Sequence, residues 1–168
     1  PNPFILDSSL ARRIWLTDNV GGGSPPDSFS LVYPLIDMEI STVYPDFIWR
    51  TSHDEDDMDS VTYTLIIDTP DPGIISHDVA FDTSFTLAEP LPDNCQIFWQ
   101  VIAQDLEGNQ TVNQGEYQTF YTNEENENPS PPVLVAPING SIQSTLTPRF
   151  YWTESLDPDP FDQVIYNL

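Results

Sequence analysis

The hydrophobic positions of this chain alternate with polar ones over short runs, and each run stops at a turn. Phe29, Leu31 and Tyr33 alternate before Pro34. Phe47 and Trp49 follow within 46–50, and Val61, Tyr63, Leu65 and Ile67 keep the same beat. Ile97, Trp99, Val101 and Ala103 carry it over the longest run, which breaks at Asp105-Leu-Glu-Gly108-Asn109. A period of two puts alternate side chains on one face of a pleated strand, so each run predicts a strand with one buried face. Pro70-Asp-Pro72-Gly73 predicts a turn, 84–87 a short strand and 91–94 a corner. The segment 74–81 fits an edge strand or a loop. Near 117–121 two registers compete, one turning Tyr117, Thr119 and Tyr121 inward and the other Phe120. A slip of one residue would turn every side chain to the opposite face. No stretch sustains a helical period. About seven short strands in roughly a hundred residues predict an all-β sandwich.

The pattern is written twice. Pro45 to Leu65 reads as a strand, an aspartate-rich loop and a second strand, and Pro148 to Leu168 repeats it without a gap. Phe47, Trp49, Asp54, Asp59 and Tyr63 return as Phe150, Trp152, Asp157, Asp162 and Tyr166, a constant offset of 103 positions. An internal repeat of this length points to tandem units. Gly21-Gly-Gly-Ser-Pro-Pro26 and the acidic run 124–131 read as linkers. The expected organisation is therefore a sandwich over 29–123 and the front half of a second over 132–168. Residues 21–28 and 124–131 are the linkers. Residues 1–20 are either tail strands of a preceding module, with 12–19 as the last of them, or an independent strand.

Charge narrows the partners. Twenty-seven acidic residues against four basic ones give a net charge of −23, and the four are all arginine. Such a field repels phosphate, which argues against nucleic acid and against anionic membrane, and it attracts cations. No run of eighteen apolar residues is present to insert in a bilayer. Hydrophobic residues at 39% suffice for a packed core. The single cysteine, Cys95, excludes an internal disulfide and leaves the compartment open. The absence of an initiator methionine and of a signal peptide suggests an excised piece of a longer chain.

Several marks together resemble a fibronectin type III module of the kind strung along bacterial surface and secreted proteins. They are Pro131-Pro132 opening a strand, Trp49 in the second strand, Tyr63 in the third, Leu91 before the Phe98-Trp99-Gln-Val101-Ile-Ala103 run, and Asp105 with Gly108 in a turn. The resemblance implies the 45–50 strand in one sheet and the 61–67 strand in the other, with Trp49 between them. It also implies that the 51–60 loop shares a pole with the 105–110 turn and the incoming linker. In one respect the chain departs from the family. The corner tyrosine would fall at Ile97, so the hydroxyl bond that pins this corner is missing unless the ring of Phe98 substitutes by packing.

The aspartates Asp54, Asp56 and Asp59, repeated as Asp157, Asp159 and Asp162, are the candidate metal ligands. Calcium takes six to eight oxygens at about 2.3–2.6 Å, and Asp-x-Asp-x-x-Asp in a loop supplies several. Asp105 belongs to the same candidate set, and Glu55, Asp57, Glu107 and Asn109 are placed to complete a shell if the loops share a pole. The loop is not an EF-hand, because the glycine and terminal glutamate of that motif are absent. Aspartates also cap turns, and inheritance would repeat a turn as readily as a site; the sequence leaves both open.

Trp49, Trp99 and Trp152 are expected in the core. Tyr44, Phe98, Tyr121 and Tyr151 are candidates for an outward sugar-stacking surface. His53 and His77 lack a matched base or nucleophile, Cys95 lacks an activating partner, and no nucleophile–base set supports catalysis. Asn109-Gln-Thr111 and Asn139-Gly-Ser141 fit the glycosylation sequon. The expected function is a non-catalytic structural or adhesive repeat module of a secreted or cell-surface protein, acting as a spacer or subunit and stiffened by calcium. The alternative is a carbohydrate-binding or accessory module of a secreted enzyme. Residues 132–168 would leave Trp152, Tyr166 and Leu168 uncovered and a sheet edge unpaired. Either the chain continues past Leu168, or other modules or copies of the chain supply strands by addition.

Overall fold

No helix forms among the described residues, 23–55 and 60–167 of a computed structural model; the chain is an all-β sandwich protein. Among those residues no helix is long and apolar enough to cross a membrane. The expected strand over 12–19 lies outside the described residues. The chain divides into two compact units, one ending at Glu124 and the other beginning at Glu125.

The first unit carries nine strands: β1 (Leu31–Tyr33), β2 (Met38–Ile40), β3 (Asp46–Trp49), β4 (Thr62–Asp68), β5 (Ile74–Ala80), β6 (Ser84–Thr86), β7 (Gln96–Gln104), β8 (Gln110–Val112) and β9 (Gln118–Thr122). They form two sheets. One is β1-β3-β6; the other runs β2-β9-β7-β4-β5, with β8 also paired to β7. All pairings are antiparallel except that of β2 with β9, which is parallel.

Alternation does what the sequence implies. Along β3 the exposed Asp46 and Ile48 interleave with the buried Phe47 and Trp49. Tyr63, Leu65 and Ile67 of β4 and Ile97, Trp99, Val101 and Ala103 of β7 turn to the same interior. Phe47 meets Trp99 edge-on at 5.0 Å and Phe120 at 5.9 Å, which joins the sheets at the centre. Each such aromatic contact adds about 0.5–1.5 kcal/mol beyond the burial of its area. The two central strands, β4 and β7, are also buried on their outer side at Ile66, Gln100 and Ile102.

Four points refine the expectations. The segment 74–81 is a strand, β5, at the edge of the larger sheet, joined to β4 through a turn in which Gly73 takes φ +98°. The last strand uses the register that buries Phe120 and Thr122, while Tyr121 points outward. The short strands β2 and β8 were not foreseen, although β1 and β6, which are equally short, were. The corner at 91–94 is pinned from β9: the Thr122 hydroxyl donates to the Pro92 carbonyl at 2.7 Å and accepts the Cys95 amide at 3.2 Å. Phe98 lies on the outer face and is half-buried, so it does not fill that role.

In the second unit β10 (Leu134–Ala136) pairs antiparallel with β11 (Tyr151–Trp152). The third strand expected near 164–168 does not form among the described residues. Its counterpart, β4, is held by β5 on one side and β7 on the other, and no described strand of the second unit offers such edges. Pro131, Leu134, Trp152, Val164 and Tyr166 consequently border an open apolar hollow of about 410 Å³.

A joint in the first unit recurs in the second. The Ser52 amide donates to the Tyr63 phenol oxygen at 2.8 Å, and the Ser155 amide to that of Tyr166 at 2.7 Å. The Ser52 hydroxyl donates to the Asp27 carbonyl, and the Ser155 hydroxyl to that of Ser130. The Asp27 amide donates to His53 and the Ser130 amide to Leu156. The rings behind these bonds match as well, with Trp49 and Tyr63 at 5.7 Å and Trp152 and Tyr166 at 5.5 Å. Leu31 pairs with Trp49 and Leu134 with Trp152.

Candidate cation site

The aspartate loop of the second unit leaves β11 and runs through Pro158 and Pro160, whose rings restrict φ and remove two backbone donors. The Asp159 amide donates to the Asp157 carboxylate at 3.2 Å, and the Asp162 amide to the Asp159 carbonyl. These bonds tighten the loop so that one carboxylate oxygen each from Asp157, Asp159 and Asp162 lie within 4.8 Å of one another. Asp162 is exposed, Asp157 half-buried and Asp159 only 4% exposed.

Asp159 is held from the linker side. Its Oδ2 accepts the Asn126 side-chain amide at 3.1 Å and the Glu127 backbone amide at 3.0 Å. No amide or hydroxyl donor reaches its buried Oδ1. The carboxyl is pushed up to about 6, first by a side-chain hydrogen bond with Glu127, then by burial, and further by the charges of Glu127 and Asp157; the Glu127 amide pulls it the other way. A buried carboxylate facing other carboxylates favours either a proton or a cation in its place. Arg149 is the only basic residue from 125 onward in the sequence.

The first unit differs. Asp56 and Asp59 lie outside the described residues, and Asp54 is half-buried. Asp105 is buried and engages both carboxylate oxygens with Asn109, the backbone amide at 2.7 Å and the side-chain amide at 2.7 Å. It closes the turn after β7, which is the capping chemistry that short aspartate loops favour. The Asn109 side chain also donates to the Gly23 carbonyl at 3.3 Å, and Thr111 to that of Pro26 at 2.6 Å. The incoming linker from Gly23 is thereby fastened along the 105–111 hairpin. Glu107 is exposed on that turn.

The remaining candidates scatter. Phe98 and Tyr121 are half-buried on the outward face of β7 and β9, Tyr44 sits between β2 and β3, and Tyr151 belongs to the second unit. His53 is exposed, and His77 lies against the Phe85 ring at 4.6 Å. Cys95 is half-buried, with its thiol pushed up by burial and by the Asp93 charge. Trp49 and Trp99 are buried, and Trp152 is partly covered. The Asn109 sequon is closed to modification in the folded unit, since Asn109 is 1% exposed; Asn139 is exposed.

Asn126 and Glu127 were not foreseen as part of this cluster. The run 124–131 reads as a solvated acidic spacer, and only the fold shows that its middle turns back onto Asp159. No protein-family model and no curated protein matches the sequence.

Proposed function

We propose that this chain is a non-catalytic structural or adhesive repeat module of a secreted or cell-surface protein, a spacer or subunit of an extracellular assembly. The observation that carries the reading is the recurrence of the Ser–Tyr–Trp joint at a constant offset, from Ser52, Tyr63 and Trp49 to Ser155, Tyr166 and Trp152. A joint that fixes an incoming linker to the start of a sandwich is what a string of modules needs at each step. The resemblance to fibronectin type III modules is supported by the strand order, in which β1-β3-β6 faces a sheet containing β9-β7-β4-β5. Calcium at the aspartate loops would stiffen the joints. The partners are other modules or copies of the chain, and the apolar hollow beside Trp152 supports strand addition there.

A spacer must bear tension. The parallel pairing of β2 with β9 means that force applied through the two ends of the first unit shears these strands along their length. Their bonds, including Asp37 to Thr119 at 2.8 Å and Asn123 to Ile40 at 2.9 Å, are then loaded together rather than one at a time. Single-molecule pulling of the full chain tests the proposal. The expected trace has a discrete rupture, followed by a gain in length of about 3.3–3.6 Å for each residue of the first unit released. Extension without a discrete rupture would overturn the spacer reading. Reproducible polysaccharide binding lost on Phe98→Ala or Tyr121→Ala would replace it with the accessory-module reading.

A further inference from the structure

The Asp157–Asp162 loop combines two independent features. The first is convergence: one carboxylate oxygen each from Asp157, Asp159 and Asp162 lie within 4.8 Å of one another, close enough to share one cation. Oxygen donors alone suit a hard divalent cation, and calcium tolerates an irregular shell where magnesium demands near-ideal octahedral geometry. The second is the Asp159 Oδ1 atom, which is buried and reached by no amide or hydroxyl donor on a side chain only 4% exposed. Burying a carboxylate oxygen with neither donor nor counter-ion is costly, and native proteins rarely leave such an atom unserved. Its sister oxygen is already served by Asn126 and Glu127, so Oδ1 is the atom left to face an ion.

We propose that Asn126 and Glu127 of the acidic run and Asp157, Asp159 and Asp162 of the loop build one calcium site, so that the ion fastens the start of the second unit to its own aspartate loop. The inference rests on the cation-binding part of the function proposed above and adds the linker to it. Glu127 reaches the site through the same turn that presents its amide to Asp159, and its carboxyl stands beside that of Asp159. With calcium bound, coordination replaces the hydrogen bond between the Asp159 and Glu127 carboxyls and adds to the two amide bonds that already hold 126–127 on the loop. Asn126, donating to Asp159 through its side-chain nitrogen, holds Oδ2 back and orients the carboxylate. It acts as a positioning residue, while Glu127 is a ligand.

The test is calorimetric titration of calcium chloride into the full chain carrying Asp54→Ala and Asp56→Ala, which leaves the second unit's loop intact. One calcium per chain is expected. Asp159→Asn should abolish the uptake, and Glu127→Gln or Asn126→Ala should each weaken it by about tenfold or more. Glu125→Gln, which removes the same charge from an exposed neighbour of the contact, should weaken uptake less than Glu127→Gln. Circular dichroism of each variant shows whether the sandwich is retained. If Asp159→Asn does not fold, the Glu127→Gln titration still decides. Uptake that is unchanged in Glu127→Gln and Asn126→Ala would overturn the inference while leaving a loop-only calcium site standing. No uptake in the parent would overturn both the inference and the calcium part of the function, and the pulling experiment would still judge the spacer itself.

Discussion

The phenol oxygen of Tyr63 receives the backbone amide of Ser52 at 2.8 Å inside the first sandwich, eleven residues from it along the chain. Both residues are about 3% exposed, so no water is at hand to replace the bond. Burial pushes the Tyr63 hydroxyl up from its ordinary value, with the Ser52 backbone bond working in the opposite direction. The aspartate loop between them is therefore bridged at its neck by one side chain. Because the Ser52 hydroxyl also holds the Asp27 carbonyl, the bridge extends to the incoming linker.

Tyr63→Phe keeps the ring against Trp49 and Phe29 but leaves the Ser52 amide buried and unpaired. The expected loss is about 1–3 kcal/mol, read as a lower urea midpoint at unchanged slope. Tyr166→Phe should cost less, under about 1 kcal/mol, because Tyr166 is 38% exposed and water can reach the gap. Equal losses at the two positions would show that the second joint is packed as tightly as the first.

Thr122→Val should cost about 1–3 kcal/mol although it keeps the side chain's shape. It removes the acceptor of the Cys95 amide and the donor to the Pro92 carbonyl on a residue that is fully buried. Thr122→Ser, which retains the hydroxyl, should lie nearer the wild type. Chemical denaturation of both variants checks the assignment of this hydroxyl as the corner pin, and a wild-type midpoint for Thr122→Val would sink it.

Cys95 should react slowly with a thiol reagent at neutral to mildly alkaline pH. Its thiol is shifted up by burial and by Asp93, so the folded chain holds less thiolate than the unfolded chain at the same pH. The measurement compares alkylation rates with and without denaturant. A folded rate at or above the denatured one would contradict the shift.

Much of the sandwich was legible in the sequence because β3, β4 and β7 are long enough for a period of two to register and are rich in aromatic and branched residues. The joint could be read only in part. Trp49 and Tyr63 announced themselves, whereas Ser52 looks like any loop serine until its amide is seen against a phenol eleven residues later. β8, Gln110–Val112, carries a single apolar residue and so offers no alternation, and the register of β9 was hidden by a run in which Tyr117, Phe120 and Tyr121 compete for the interior. In the candidate site the aspartate triplet was visible as a repeat. The linker's share was not, because a bond between Glu127 and Asp159 spans 32 positions and leaves no local pattern. The third strand of the second unit was over-read from that same repeat: the residues recur there, but the neighbouring strands that stabilise β4 do not.

The central claim is that one joint is built twice, and amide hydrogen exchange tests it at two atoms. The Ser52 and Ser155 amides should both exchange more slowly than in an unfolded chain, with Ser52 the slower, and Tyr166→Phe should return Ser155 alone to the unfolded rate. A Ser155 amide that already exchanges at the unfolded rate in the wild-type chain would contradict the claim.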